Sequence, residues 1–449
     1  MDAFPPPSDT LSALEAIADA TLLFDNHAHP FHLPNPKTHL PRLRALLTEA
    51  APPHPSSTLA FYRSLRDIYR LLAAESPPSS SSSTRDTSSI GYPNEAPPQV
   101  AHPHAPDTQS ETETIVEETR ARIGVWPLAE RCFSAAGIAA VLLDDGLHVP
   151  RGVRAVSLEE VTTRLNIPVA KRVLRIEKEA ELALADVIRE NEYQAWSRAP
   201  REPPSHTGTE KRPRNAMRAR QFRAALTARL CPLPEGVVAL KSIAAYRGGL
   251  DLDLEGGDEE LEEALAGVRG ERIEDRVIVA CVVRMGLEVA RQYKVPLQIH
   301  CGFGDTDLDL GRANPVLLKS VVERYPDVDI VLLHAAWPYT REAAHMAAVH
   351  PGVYLDLGLA IPLLSVRGMF RAVDAALEIA PVAKLLYSSD AHSAPDVFYL
   401  AARWGRRVIA AAVAAAVTSG DLDLSEAKSA IRMILAENAV RLYRLPVTV

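Results

Sequence analysis

Eight short runs of β-branched and leucine-rich residues, interleaved with segments of helical period, constrain this 449-residue chain more than any other feature. The runs fall at 22–24, 138–143, 172–176, 237–243, 296–300, 329–334, 353–357 and 384–388. The clearest helical stretches lie at 275–293, 315–324, 340–348, 369–379, 394–417 and 424–443. Strands that follow one another through helices are expected to pair in parallel, because a parallel neighbour is reached only by a crossover. Eight such units close a ring, so the expected fold class is α/β, a (β/α)8 TIM-type barrel. A doubly wound open sheet is the competing architecture, but it usually carries a glycine-rich phosphate turn after an early strand. The sequence has no such turn. Helical stretches within 38–74 and 113–136 fall after strand one and are expected to form an extra layer around the barrel rim.

The whole of 1–449 reads as one barrel domain, since barrels of this size commonly fold as a unit. Two segments break the pattern. Residues 76–112 hold a Pro pair and a serine run, and 198–214 are polar and Pro-rich. Both are expected to be disordered surface insertions. His102 and His104 lie in the first of these and carry no weight as a pair.

Composition narrows the function. A hydrophobic content of 47% supplies a large core, and a formal charge of −8 gives no general attraction to nucleic acid or an anionic membrane. No apolar run approaches the ~20 residues that a spanning helix needs. Cys132, Cys231, Cys281 and Cys301 are widely spaced, as expected of reduced thiols in a cytoplasmic enzyme. The partner expected is a small-molecule substrate, with self-association into a homo-oligomer left open.

Polar residues stand where the apolar runs stop. The first run leads into Asp25-Asn26-His27-Ala28-His29-Pro30. Side chains two apart on a strand face the same way, so His27 and His29 direct two imidazoles at one point. Lys241 lies in the fourth run, His300 ends the fifth, His334 ends the sixth, and Asp390-Ala391-His392 follows the eighth. Chemistry in parallel barrels sits at this end of the strands. Each residue alone has an ordinary explanation: a hydrogen-bonded histidine, a lysine stem packed on apolar surface, an aspartate capping a helix. Burying all of them together is costly without compensation, and a divalent cation compensates them at once. A metal site is therefore expected, with Zn2+ suited to mixed nitrogen and oxygen ligands and Mn2+ or Fe2+ as alternatives.

This pattern resembles the amidohydrolase superfamily, whose barrels take His-x-His from strand one, histidines from strands five and six, and Asp from strand eight. The segments beginning at Lys241, His300, His334, Val353 and Tyr387 look like the amidohydrolase domain of fungal FluG-type and plant nodulin-like proteins. FluG-type proteins continue into a glutamine-synthetase-like domain, and the barrel without that domain is expected here. The resemblance implies His27, His29, His300 and Asp390 as metal ligands, with Asp390 also moving the proton of the attacking water. His334 would bind a second ion or polarise the scissile carbonyl. Lys241 would be carbamylated and bridge two ions, or stay an ammonium that holds a substrate carboxylate. Arg247 and Arg341 are candidate carboxylate anchors because guanidinium grips carboxylate bidentately. Trp337 is placed as a pocket wall and His392 as a substrate contact; Asp305 and Asp307 are candidates to meet an amine. The expected reaction is metal-assisted hydrolysis of a C–N bond, an amide, in a small carboxylated substrate, and the FluG-type resemblance points to γ-glutamyl amides as one such class. Decarboxylation or C–C cleavage on the same residues, and a catalytically silent barrel, are the alternatives.

Overall fold

The computed structural model describes residues 8–35, 39–51, 54–74, 108–197, 216–268, 270 and 272–447. Its centre is a parallel sheet of eight strands in chain order. They are β1 (Leu23–Ala28), β2 (Ile138–Asp144), β3 (Val169–Arg175), β4 (Val237–Ser242), β5 (Leu297–Ile299), β6 (Ile330–Leu332), β7 (Val353–Asp356) and β8 (Leu385–Leu386). Hydrogen bonds draw β8 and the residues after it onto β1: Asn26 N to Tyr387 O at 3.3 Å, His29 N to Ala391 O at 2.7 Å, and Asp390 N to His27 O at 3.0 Å. The result is the nearly closed (β/α)8 barrel that the alternation of runs predicts.

Side chains along β2 divide by alternation, as the pleat requires. Val141 and Leu143 join the shell between strands and helices, whereas Ala140 and Leu142 pack inside with Phe24, Val173, Val331 and Leu386. The terminal helical segment 424–443 contributes Ala439, Leu442 and Tyr443 to this inner cluster, so it plugs one end of the barrel. A short antiparallel ribbon, His32–Pro34 with Val153–Ala155, lies outside the barrel sheet.

β1 breaks its own alternation. Asp25 pairs with Val141 and Ala28 with Leu143, three steps on one strand against two on the other. Such a bulge re-aims side chains. Here it lets Phe24 face the inner cluster while Ala28, four residues on, faces the outer shell.

The extra helical layer after strand one contains helices Leu59–Ala73, Gln109–Ile123 and Val125–Ala136. Residues 108–112 of the expected insertion are ordered structure: Thr108 and Glu111 form a reciprocal capping box that starts the second of these helices. The remainder of that segment, 76–107, and all of 198–214 lie outside the described residues. Arg120 fastens the layer to helix Asp396–Ser419, donating from Nε and Nη2 to the two Asp396 oxygens at 3.1 and 2.9 Å. Both side chains are almost fully buried. Arg120→Met leaves the Asp396 carboxylate without its buried partner and is expected to cost about 3–5 kcal/mol of stability. The shift of a urea unfolding midpoint measures it.

Candidate metal centre and substrate cavity

The residues singled out at the strand ends meet at one mouth of the barrel. His27 Nε2 and His29 Nε2 lie 3.2 and 3.3 Å from the same oxygen, Asp390 Oδ1. His334 Nδ1 lies 3.9 Å from the other oxygen, Oδ2. Lys241 Nζ is 3.1 Å from His27 Nε2. The His300 ring centre is 4.5 Å from that of His334. Ligand atoms of His27, His334 and Asp390 fall within 4.8 Å of one another, as do those of His27, His29 and Asp144.

Backbone conformation is part of this convergence. His334 and Asp390 adopt left-handed φ values of 68° and 50°, and Ala335 and Ala336 follow His334 in the same region. Non-glycine residues are held there at a cost of order 1–3 kcal/mol each, a pattern that clusters at functional sites. Gly302, at φ 75°, lets the loop after β5 run against the carbonyls of Ala336 and Trp337. A Cβ there would lie 2.3 Å from the Trp337 oxygen.

The proton positions decide what the cluster can hold. His29 Nδ1 sits 2.8 Å from the Asp144 carbonyl oxygen, which can only accept, so Nδ1 carries a proton and, in the neutral ring, Nε2 is the lone pair that faces Asp390. His27 Nδ1 similarly donates to Gln298 Oε1 at 2.8 Å. Two imidazole lone pairs therefore face one carboxylate oxygen. Lys241 offers a proton to His27. His300 Nε2 donates to the Phe303 carbonyl at 3.1 Å, leaving its Nδ1 bare. His334 Nδ1 is buried with no hydrogen-bond partner.

Burial opposes protonation of His27, His300 and His334. Burial, followed by the nearby Lys241 charge, pushes His27 down to about 4 and His300 to about 3. Burial also holds His334 well below its ordinary value. Burial lowers Lys241 to about 8, with the Asp144 and Asp390 carboxylates opposing the shift. Neutral imidazoles around an anionic oxygen form a donor set that fits a divalent cation.

A cavity of about 920 Å3 opens over this cluster. His29, Lys241, His300, His334, Asp390 and His392 lie in its floor and walls, together with Arg247. Arg247 is paired with Glu181 through Nη2 at 2.9 Å, while its Nε and Nη1 are buried without partners. His392 Nδ1 is 3.1 Å from Ser393 Oγ, and burial lowers its ring to about 4.

Two expected contacts are elsewhere. Arg341 belongs to helix Thr340–Val349 and forms a two-pronged bridge to Glu378 at 2.8 and 2.7 Å. Its side chain is 73% exposed, which removes it from the cavity. The turn after β6 delivers residue 341 to the outer face of the helix. Trp337 packs edge-on against Phe303 at 5.2 Å and is not among the cavity-lining residues. It buttresses the neighbouring loop from outside.

The amidohydrolase family model matches residues 197–445, more than half of the chain. The chain belongs to the amidohydrolase family. This amidohydrolase is 39% identical over 223 residues to Protein fluG of Emericella nidulans, a match covering 46% of the chain but only 26% of that protein. The barrel is thus FluG-like, and it spans about a quarter of the length of that curated relative. Among solved structures, a Lactobacillus casei protein assigned as a metal-dependent hydrolase superposes with a TM-score of 0.67. It is 23% identical, and the match covers 96% of this chain and 97% of that one. Uronate isomerase of Thermotoga maritima gives 0.55 at 10% identity over 99% of both chains. At these identities the two structures speak for the shared fold.

The amidohydrolase site also contains residues that the sequence reading passed over. Asp144 ends β2 and accepts from Arg175, at the end of β3, at 3.0 and 2.7 Å. This ion pair stands beside His29. Tyr246 packs on His300 with ring centres 4.6 Å apart and lines the cavity. Glu49 reaches the cavity from the segment between β1 and helix Leu59–Ala73, and burial with Asp305 and Asp390 nearby pushes its carboxyl up to about 7. The strand-end rule that selected Lys241 applies equally to Asp144 and Arg175. No local signal marks Glu49.

Proposed function

We propose that the chain is a metal-dependent hydrolase that cleaves the C–N bond of an amide in a small carboxylated substrate. The observation that carries this reading is the meeting of His27 Nε2 and His29 Nε2 on one Asp390 oxygen. His27, His29, His300 and Asp390 would hold the ion, with Zn2+ suited to these donors. A bound divalent ion supplies a water acidic enough to deprotonate near pH 7 and a charge that polarises a carbonyl. Asp390 takes the proton of the attacking water and returns it to the departing amine, so that amide and water become acid and amine. His334 Nδ1 faces the Asp390 side of the cavity, where it would hold the carbonyl oxygen or a second ion. Lys241, buried beside His27, would bridge two ions as a carbamate or meet the substrate as an ammonium.

Arg247 is the candidate anchor for the substrate carboxylate, since two of its nitrogens await partners. Charge-assisted hydrogen bonds of this kind contribute about 1.5–3 kcal/mol. Arg247→Ala is therefore expected to raise KM roughly 10- to 100-fold, whereas Arg341→Ala leaves steady-state kinetics unchanged. γ-Glutamyl amides, which carry a free carboxylate beyond the scissile bond, are the first class to try. Amine or ammonia release from such a panel supports hydrolysis. Release of CO2 from unsaturated or aromatic carboxylic acids would move the reading to decarboxylation. Inactivity of the metal-loaded protein toward both panels would favour a silent barrel.

Cytoplasmic residence belongs to the same proposal, supported by four free cysteines. Among the described residues no helix is long and apolar enough to cross a membrane.

A further inference from the structure

The proton on His27 is fixed by a chain of hydrogen bonds whose directions admit one solution. The Asn26 backbone carbonyl can only accept, so the Gln298 atom 2.8 Å from it is the amide nitrogen, Nε2. The second Nε2 hydrogen points to Tyr443 Oη at 2.8 Å. Tyr443 in turn donates to Asn26 Oδ1 at 2.8 Å. Asn26 completes the set by donating to Asp356 Oδ1 at 2.8 Å and to the Tyr387 carbonyl at 2.7 Å. The Gln298 amide therefore cannot rotate without losing bonds on both sides, and its Oε1 must face His27 Nδ1, 2.8 Å away. His27 keeps its proton on Nδ1 and turns a bare Nε2 toward Asp390.

We propose that Gln298, held by Tyr443 of the C-terminal helix, is a positioning residue that fixes the tautomer and aim of His27 and so sets the affinity of the metal centre. Gln298 is fully buried two residues before His300, and so serves a histidine on a different strand. Tyr443 comes from the segment that plugs the opposite end of the barrel. The closing helix thereby tunes a site it does not touch. Partners that orient metal-binding histidines in this way typically account for 10- to 100-fold in metal affinity.

The inference rests on His27 being a metal ligand, and the test separates the two. Zn2+ dissociation constants are measured by competition with a chromophoric chelator, and Co2+ absorption spectra are recorded, for the wild type and for His27→Ala, Gln298→Leu, Gln298→Glu and Tyr443→Phe. Gln298→Leu is expected to weaken Zn2+ binding roughly 10- to 100-fold and to alter the Co2+ spectrum. Gln298→Glu, as a neutral acid, keeps an acceptor opposite Nδ1 and a donor for Asn26 O, so it recovers most of the affinity. Tyr443→Phe leaves the amide half-held and weakens binding about fivefold, which preserves the test if Gln298→Leu does not fold. Affinity and spectra unchanged in the Gln298 and Tyr443 variants, with binding lost in His27→Ala, would overturn the inference alone. A wild type that binds neither ion would overturn both.

Discussion

Asp390→Asn is expected to lower kcat by at least about 10^3-fold, because one carboxylate serves as both ion ligand and proton carrier. The substitution is well matched to the backbone: Asp390 sits at φ 50°, and asparagine is among the few residues that tolerate the left-handed region. A lost fold therefore does not explain the loss of rate. The amide also cannot take up the proton that an aspartate accepts. Single-turnover kinetics on a cleaved substrate measure the effect, and a loss below tenfold would remove Asp390 from the proton-transfer role.

Metal removal should reverse the ranking of the same two proteins in stability. Without a cation and with both rings neutral, wild-type Asp390 Oδ1 faces the Nε2 lone pairs of His27 and His29 at 3.2 and 3.3 Å. An asparagine amide turns an N–H toward one of them and replaces a repulsive contact with a hydrogen bond. Chelator-treated Asp390→Asn is then expected to exceed the chelator-treated wild type by about 1–3 kcal/mol. With ion present at ~1,000 times its Kd, the wild type gains about 4 kcal/mol and becomes the more stable protein. Melting curves with and without chelator read both differences. A wild type that gains nothing from the ion would contradict this cost of an empty site.

Much of the barrel was legible because buried parallel strands are written as short apolar runs. β5, β6 and β8 have only three, three and two residues, yet the crossover helices around them located each one. The His27–His29 pair was legible because alternation places residues two apart on one side. Other features were invisible for physical reasons. The bulge between Asp25 and Ala28 depends on pairing with β2, which no local pattern specifies. The left-handed turns at His334 and Asp390 occur without glycine. Arg341 follows the end of the sixth run by only a few residues, which by itself would put it near the cavity. Direction, not distance along the chain, decided its place: it lies on the outward face of a helix, against Glu378. Gln298 reads as one more polar residue in a strand until the carbonyl of Asn26 fixes which way its amide points.

Metal content of the purified protein tests the central claim most directly. Elemental analysis should find one or two equivalents of a divalent transition metal per wild-type chain, and close to none in a His27→Ala, His29→Ala double variant. A metal-free wild type that acquires no Zn2+, Mn2+ or Fe2+ on reconstitution, or a double variant that keeps the full complement, would contradict the account.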